Sequence, residues 1–123
     1  MSAREWPDRV RDIIDAIAEI QFFTKGMTLD SFRADTKTIK AVELNFIIIG
    51  EASGAIPDEI RAANPAVPWQ LMRSMRNRMV HIYFHIDPAI LWKTIQDDLP
   101  LLLPHLENLL DSTHTSGDEI TAP

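Results

Sequence analysis

The sequence contains no cysteine, so neither disulfides nor thiolate chemistry is open to it, and no redox role follows. That absence suits a reducing compartment, and the cytosol is where the protein is expected to act. Long apolar runs are missing too: "FIII" and "LLL" fall far short of the roughly 20 residues a membrane span needs. The N-terminus is charged from Arg4 onward, unlike a secretory leader. A soluble protein with no membrane partner is expected. There is one tyrosine, Tyr83, and no acidic residue between Arg61 and Asp87. Broad basic character is also lacking, because the net charge is −6, and this argues against a generic nucleic-acid binder.

What is present is one domain's worth of chain, 123 residues with 46% hydrophobic content. The charges are unevenly spread. Arg61, Arg73, Arg76 and Arg78 are the only charged residues from 61 to 86, so the rest of the chain is more acidic than the net value suggests. Most of the acids read as solvating helix faces. Four cations without an acid nearby in sequence have no local ion-pair partners and are free to gather around an anion.

Periodicity is helical throughout. Trp6, Val10, Ile13, Ile17, Ile20 and Phe23 line one face of a helix over about Pro7 to Lys25, which Gly26 ends. A short piece follows around Leu29 and Phe32. Asp35 then caps a long helix with Ile39, Val42, Phe46 and Ile49 inward, closing near Gly54; its run "NFIII" suggests burial on more than one side. "IPDEIRAANPAVPW" connects two halves of a bundle, with a short helix at Asp58 to Ala63. The next helix spans about Pro68 to Phe84 with Met72, Met75, Met79 and Ile82 inward. Asp87 followed by Pro88 starts another. The last apolar stripe is Leu91, Ile95, Leu99, Leu102, Leu106 and Leu109, with Pro100 and Pro104 expected to kink or split it. Residues 112–123 carry no apolar period and are expected to form a disordered tail behind a domain of residues 1–111. With neither repeats nor strand-like alternation, the expected fold is all-α, an antiparallel bundle of about four main helices plus short connectors.

Chemistry concentrates in "RSMRNRMVHIYFHID", Arg73 to Asp87. At 100° per residue Asn77 and His81 share a face, and Arg76 and Tyr83 share a neighbouring stripe. His81 lies about 140° around the helix from Arg76, so a second copy of the helix would serve to bring both groups to one ligand. His81 and His85 have the i, i+4 spacing of helical zinc sites. The intervening glutamate of the metalloprotease motif is missing, however, and His105 and His114 stand far along the chain, so no metal site is expected. An imidazole beside a guanidinium suits proton transfer at a phosphodiester.

"RNRMVHIYF" resembles the R-x4-H-x-Y motif of the HepT-like ribonucleases, toxins of the HEPN superfamily, with Arg76, Asn77, His81 and Tyr83 at the motif positions. The resemblance extends through "RVRDIIDAIAEIQFFTKGMTLDSF", "DTKTIKAVELNFIIIGEASGAIP", "VPWQLMRSMRNRMVH" and "LWKTIQDDLP". It implies an all-helical HEPN-like fold and a homodimer that brings two motifs to one cleft. It also implies metal-independent, cofactor-free RNA cleavage and a partner antitoxin with a minimal nucleotidyltransferase fold. On that reading His81 exchanges protons, Arg76 stabilises phosphate charge, and Asn77 orients His81 or the phosphate. Arg73 and Arg78 bind RNA, and Tyr83 is the target of adenylylation by the antitoxin. Ile82 and His85 stand where many relatives carry glycine, a departure expected to reshape the cleft. The competing class is a non-catalytic helical adaptor that binds a nucleotidyltransferase partner or a nucleotide.

Overall fold

The computed structural model describes residues 5–82 and 87–121, and the side chains of 5–77 and 87–112. Among the described residues the chain is helical with no strand: α1 (Trp6–Thr24), α2 (Leu29–Arg33), α3 (Thr36–Gly54), α4 (Asp58–Ala63), α5 (Trp69–Ile82), α6 (Pro88–Lys93), a π-helical turn (Thr94–Asp98) and α7 (Leu99–Thr121). The all-α bundle expected from periodicity is borne out.

Local chemistry sets the boundaries. Thr28 and Ser31 cap α2 reciprocally, Thr28 Oγ1 accepting from the Ser31 N–H at 3.1 Å. Asp35 caps α3 by accepting from the Thr38 N–H at 3.0 Å and from its hydroxyl at 2.8 Å. These bonds, the backbone one foremost, hold the Asp35 carboxyl below its usual range. The cap therefore contributes stability above the ordinary carboxylate pKa and loses it as pH falls through the lower folded-state value. Asp87 accepts from the Ala89 N–H at 2.9 Å, with Pro88 in the first turn of α6. Gly26, at φ 77°, provides the left-handed residue that turns the chain after α1.

α3 is the central element. It packs on α1 along one side and on α5 along the other, α7 closes over α1, and α2 bridges α3 and α6. Val10, Ile13, Ile17 and Ile20 of α1 meet Val42, Phe46 and Ile49 of α3, Met72 and Met75 of α5, and the stripe Leu91, Ile95, Leu99, Leu102 and Leu106, all in one core. Phe32 of α2 stacks against Trp92 of α6 with centroids 5.3 Å apart. Arg33 pairs with Asp87 at 3.3 Å, so the chain that follows α5 is fastened at α6 by both contacts.

Two expectations needed adjustment. Phe23 is 38% exposed and Thr24 takes the last inward position of α1, its hydroxyl donating to the Ile20 carbonyl at 2.8 Å. The expected proline kink takes the form of the π turn: Pro100 has no N–H for the Gln96 carbonyl, and the Leu99 N–H bonds five residues back to Thr94. The backbone of α7 is described to Thr121, and the last core residue among the described side chains is Leu109, with Leu110 packed against the core. No helix among the described residues is long and apolar enough to cross a membrane.

Candidate active site

α5 is an amphipathic helix held at its start by the connector. The Trp69 N–H bonds the Val67 carbonyl at 2.8 Å, and its indole N–H donates to the Asn64 carbonyl at 3.0 Å. Met72 and Met75 are fully buried and fix the helix's rotation. Arg73 and Asn77 are consequently exposed on the far side, and Arg76, at the edge of the buried stripe, is exposed as well. Met79 and Ile82, the next expected core positions, lie where side chains are not described.

α3 and α5 approach each other closely where Gly50 meets Arg76. A Cβ added to Gly50 would lie 2.3 Å from the Arg76 Cβ, 3.0 Å from its backbone nitrogen and 3.1 Å from its Cα. Only glycine allows this contact, and it seats the root of Arg76 on α3. Ser53, one turn on and fully buried, donates its hydroxyl to the Gly50 carbonyl at 3.0 Å, so the small residues on this side of α3 are internally satisfied. Glu51, the residue after Gly50, pairs with Arg76 through Nε in an ion pair whose side chains are 59% and 49% exposed. Arg76 is thus held at both ends by consecutive residues of α3. Neither Gly50 nor Glu51 was singled out from the sequence. The available signal was a glycine inside an apolar helical run, which disfavours the helix and calls for a packing reason.

The arginine cluster is only partly as expected. Arg61 pairs with Asp58 three residues earlier and Arg76 with Glu51 from another helix, so two of the four cations do have acidic partners. Asp58 stands just outside the acid-free window, and Glu51 is distant in sequence. Arg73 has no ion pair among the described residues and borders an open groove of about 530 Å³ with Arg61, Trp69 and Gln70. Arg78 and His81 lie on the α5 backbone, and their side chains are outside the description. Tyr83 and His85 lie outside the described residues altogether. Positions 77 and 81 share a face of α5, and 81 follows 76 by about 7.5 Å of rise and about 140° of rotation.

This arrangement puts an anchored guanidinium and an exposed amide on a helix whose next turn carries a histidine, a set suited to a phosphodiester. A family described as "Ribonuclease HepT-like" matches residues 13–109, which include the whole of α3 and α5. The chain belongs to that family. Among relatives of the HepT-like chain is a Thermococcus cleftensis protein named "Probable ribonuclease HepT", 40% identical over 106 residues that span 86% of this chain and 96% of the relative. A candidate RNase of Methanocaldococcus jannaschii is 35% identical over 107 residues, spanning 87% of this chain and 98% of the relative. Another, from Caldanaerobacter subterraneus, is 33% identical over 86 residues, spanning 70% and 77%. No solved structure matches. The family expected from the motif is borne out, and the enzyme class of the HepT-like chain is that of its family, the endoribonucleases.

Proposed function

We propose that this HepT-like protein is the toxin ribonuclease of a toxin–antitoxin pair, that it cuts RNA without metal, and that a minimal nucleotidyltransferase antitoxin neutralises it. The observation that carries the cleavage reading is Arg76, fixed on α3 at its root and head yet half exposed, one residue before the exposed Asn77 and five before His81. In the proposed step His81 takes the proton of a 2′-hydroxyl. The 2′-oxygen attacks the adjacent phosphorus, the bond to the 5′-oxygen breaks, and an imidazolium returns a proton to that leaving oxygen. The products are a 2′,3′-cyclic phosphate and a 5′-hydroxyl end. Arg76 stabilises charge on the phosphate oxygens and Asn77 orients His81 or the phosphate. Arg73 and Arg78 hold flanking phosphates, and the groove beside Arg73 gives the strand a path along α5. DNA lacks the nucleophile. Incubating the purified protein with labelled RNA in EDTA tests the reading: cyclic-phosphate ends are expected, and intact RNA would leave the adaptor.

A homodimer completes the site. Positions 76 and 81 diverge around one helix, so two copies of α5 bordering a shared cleft would supply an arginine and a histidine to one phosphate. Leu44, Ile47 and Ile48 support this assembly: they form an exposed apolar stripe on the outer face of α3, which ends at Glu51 beside Arg76. Sedimentation at micromolar concentration should give a dimer; a strict monomer would remove this part of the proposal.

Tyr83 is proposed as the point of control. It follows Arg76 by seven residues in sequence, the spacing that shares a stripe on a continuous helix, so an AMP group transferred from ATP to its phenol, with release of pyrophosphate, would bring a phosphodiester anion to the arginines. The adenosine would then block RNA entry. Co-expression with the antitoxin should add one or more AMP units to Tyr83, and Tyr83→Phe should still cut RNA while escaping neutralisation. Intact mass spectrometry decides: unmodified Tyr83 in a fully silenced complex would mean inhibition by steric binding instead.

A further inference from the structure

We infer that Glu51 is a positioning residue for RNA cleavage, one that holds the Arg76 guanidinium so that its two terminal NH₂ groups face the phosphate. This rests on the proposed cleavage role of Arg76 and extends it to a residue on another helix.

A guanidinium has five N–H donors in a rigid planar fork. In this structure the Glu51 carboxylate is paired with the guanidinium at Nε, the nitrogen nearest the stem. The four N–H groups on the terminal nitrogens are not part of that contact and remain for a ligand, while the ion pair keeps the head of the side chain beside α3. Without Glu51 the side chain would keep only its root, where Gly50 lets the Arg76 backbone lie against α3, and several rotatable bonds would lie between that root and the charge. Gly50 and Glu51 are adjacent in sequence, so any movement of α3 carries both ends of the arginine together.

An ion pair this exposed adds little to folding stability, so the contact matters for geometry more than for the bundle. The carboxylate could act in the opposite sense by competing with phosphate for the same charge. The two senses differ in sign. A positioning carboxylate speeds cleavage, and a competing one slows it.

The test combines steady-state cleavage of a labelled RNA oligonucleotide with NMR of the Arg76 Nε–H group, assigned by its disappearance in Arg76→Lys. Glu51→Ala should lower kcat by between about tenfold and about 100-fold, the scale for misplacing a group near the reacting atoms, with KM changed much less. Glu51→Gln keeps a side-chain oxygen of the same reach beside Nε and should recover most of the rate. In an Arg76→Ala background Glu51→Ala should cause no further loss, because its effect passes through the arginine. The Nε–H resonance should be protected from solvent exchange in the wild-type protein and in Glu51→Gln, and lose that protection in Glu51→Ala. Equal losses in both backgrounds would make Glu51 merely structural and overturn the inference. So would unchanged or faster cleavage in Glu51→Ala, or a resonance indifferent to it. A wild-type protein that leaves RNA intact would defeat the proposed function, and the resonance would still decide whether Glu51 holds Arg76.

Discussion

Replacing His81 or Arg76 with alanine is expected to lower RNA cleavage by at least about 100-fold each, the usual scale for losing a positioned acid–base group or a preorganised charge stabiliser. For Arg76 the physical basis is visible: its root and its Nε are both fixed by α3, so little reorganisation is needed when charge develops on a phosphate oxygen. For His81 the basis is its place on α5, one turn after the exposed Asn77 on the same face, and the capacity of imidazole to give and take protons near neutral pH. Folding should survive both changes, since Arg76 is half exposed and the α5 core contacts belong to Met72 and Met75. His85→Ala should cost much less than His81→Ala. If EDTA abolished cleavage while His81→Ala left it intact, a metal-dependent reaction would replace the one proposed, and a loss in His85→Ala equal to that in His81→Ala would show the acid–base group to be misassigned.

Much of the bundle was legible because its signals are short-range. Asp35, Asp87 and Pro88 announce helix starts through bonds that span two or three residues, and α3 begins and ends where its cap and Gly54 place it. The inward stripe of the last helices was likewise readable from spacing, since Leu91, Ile95, Leu99, Leu102, Leu106 and Leu109 are all buried. Apolar content alone was a poorer guide in the run "NFIII". Ile47 and Ile48 keep about a third of their surface exposed while Asn45 is 4% exposed, its amide donating to the Ala41 carbonyl. An apolar residue on the outer face resembles a core residue in sequence, and the difference depends on which neighbours arrive from elsewhere. The site divides in the same way. The motif residues were named through the resemblance of "RNRMVHIYF" to the family's motif, but Gly50 and Glu51 belong to α3 and meet Arg76 only once the two helices pack. No local pattern carries that information, apart from a glycine where the helix would favour alanine.

That glycine leads to the second large effect. Gly50→Ala should destabilise the protein and impair cleavage together, although alanine is the better helix former by about 1 kcal/mol. The added Cβ would sit 2.3 Å from the Arg76 Cβ, against about 3.5–4.0 Å for an ordinary carbon contact. The atoms it meets are the Cβ and backbone of Arg76, which have no flexible end to swing aside, so α5 must move away from α3 by about an ångström. Overpacking of this kind costs about 1–3 kcal/mol, which exceeds the propensity gain in most of that range and leaves the bundle less stable. The same displacement separates Arg76 from Glu51 and shifts α5 with the motif on it, and misplacement on that scale can reduce a rate by about 100-fold. Gly54→Ala is the matched control: it lies at the end of the same helix, and its added Cβ would meet nothing within 4 Å. It should leave stability unchanged or raise it by up to about 1 kcal/mol by restricting the unfolded chain. Urea unfolding and RNA cleavage measured on both variants separate packing from propensity. Equal stability and full activity in Gly50→Ala would show that α5 does not lie this close to α3, and the account of how Arg76 is held would fall with it.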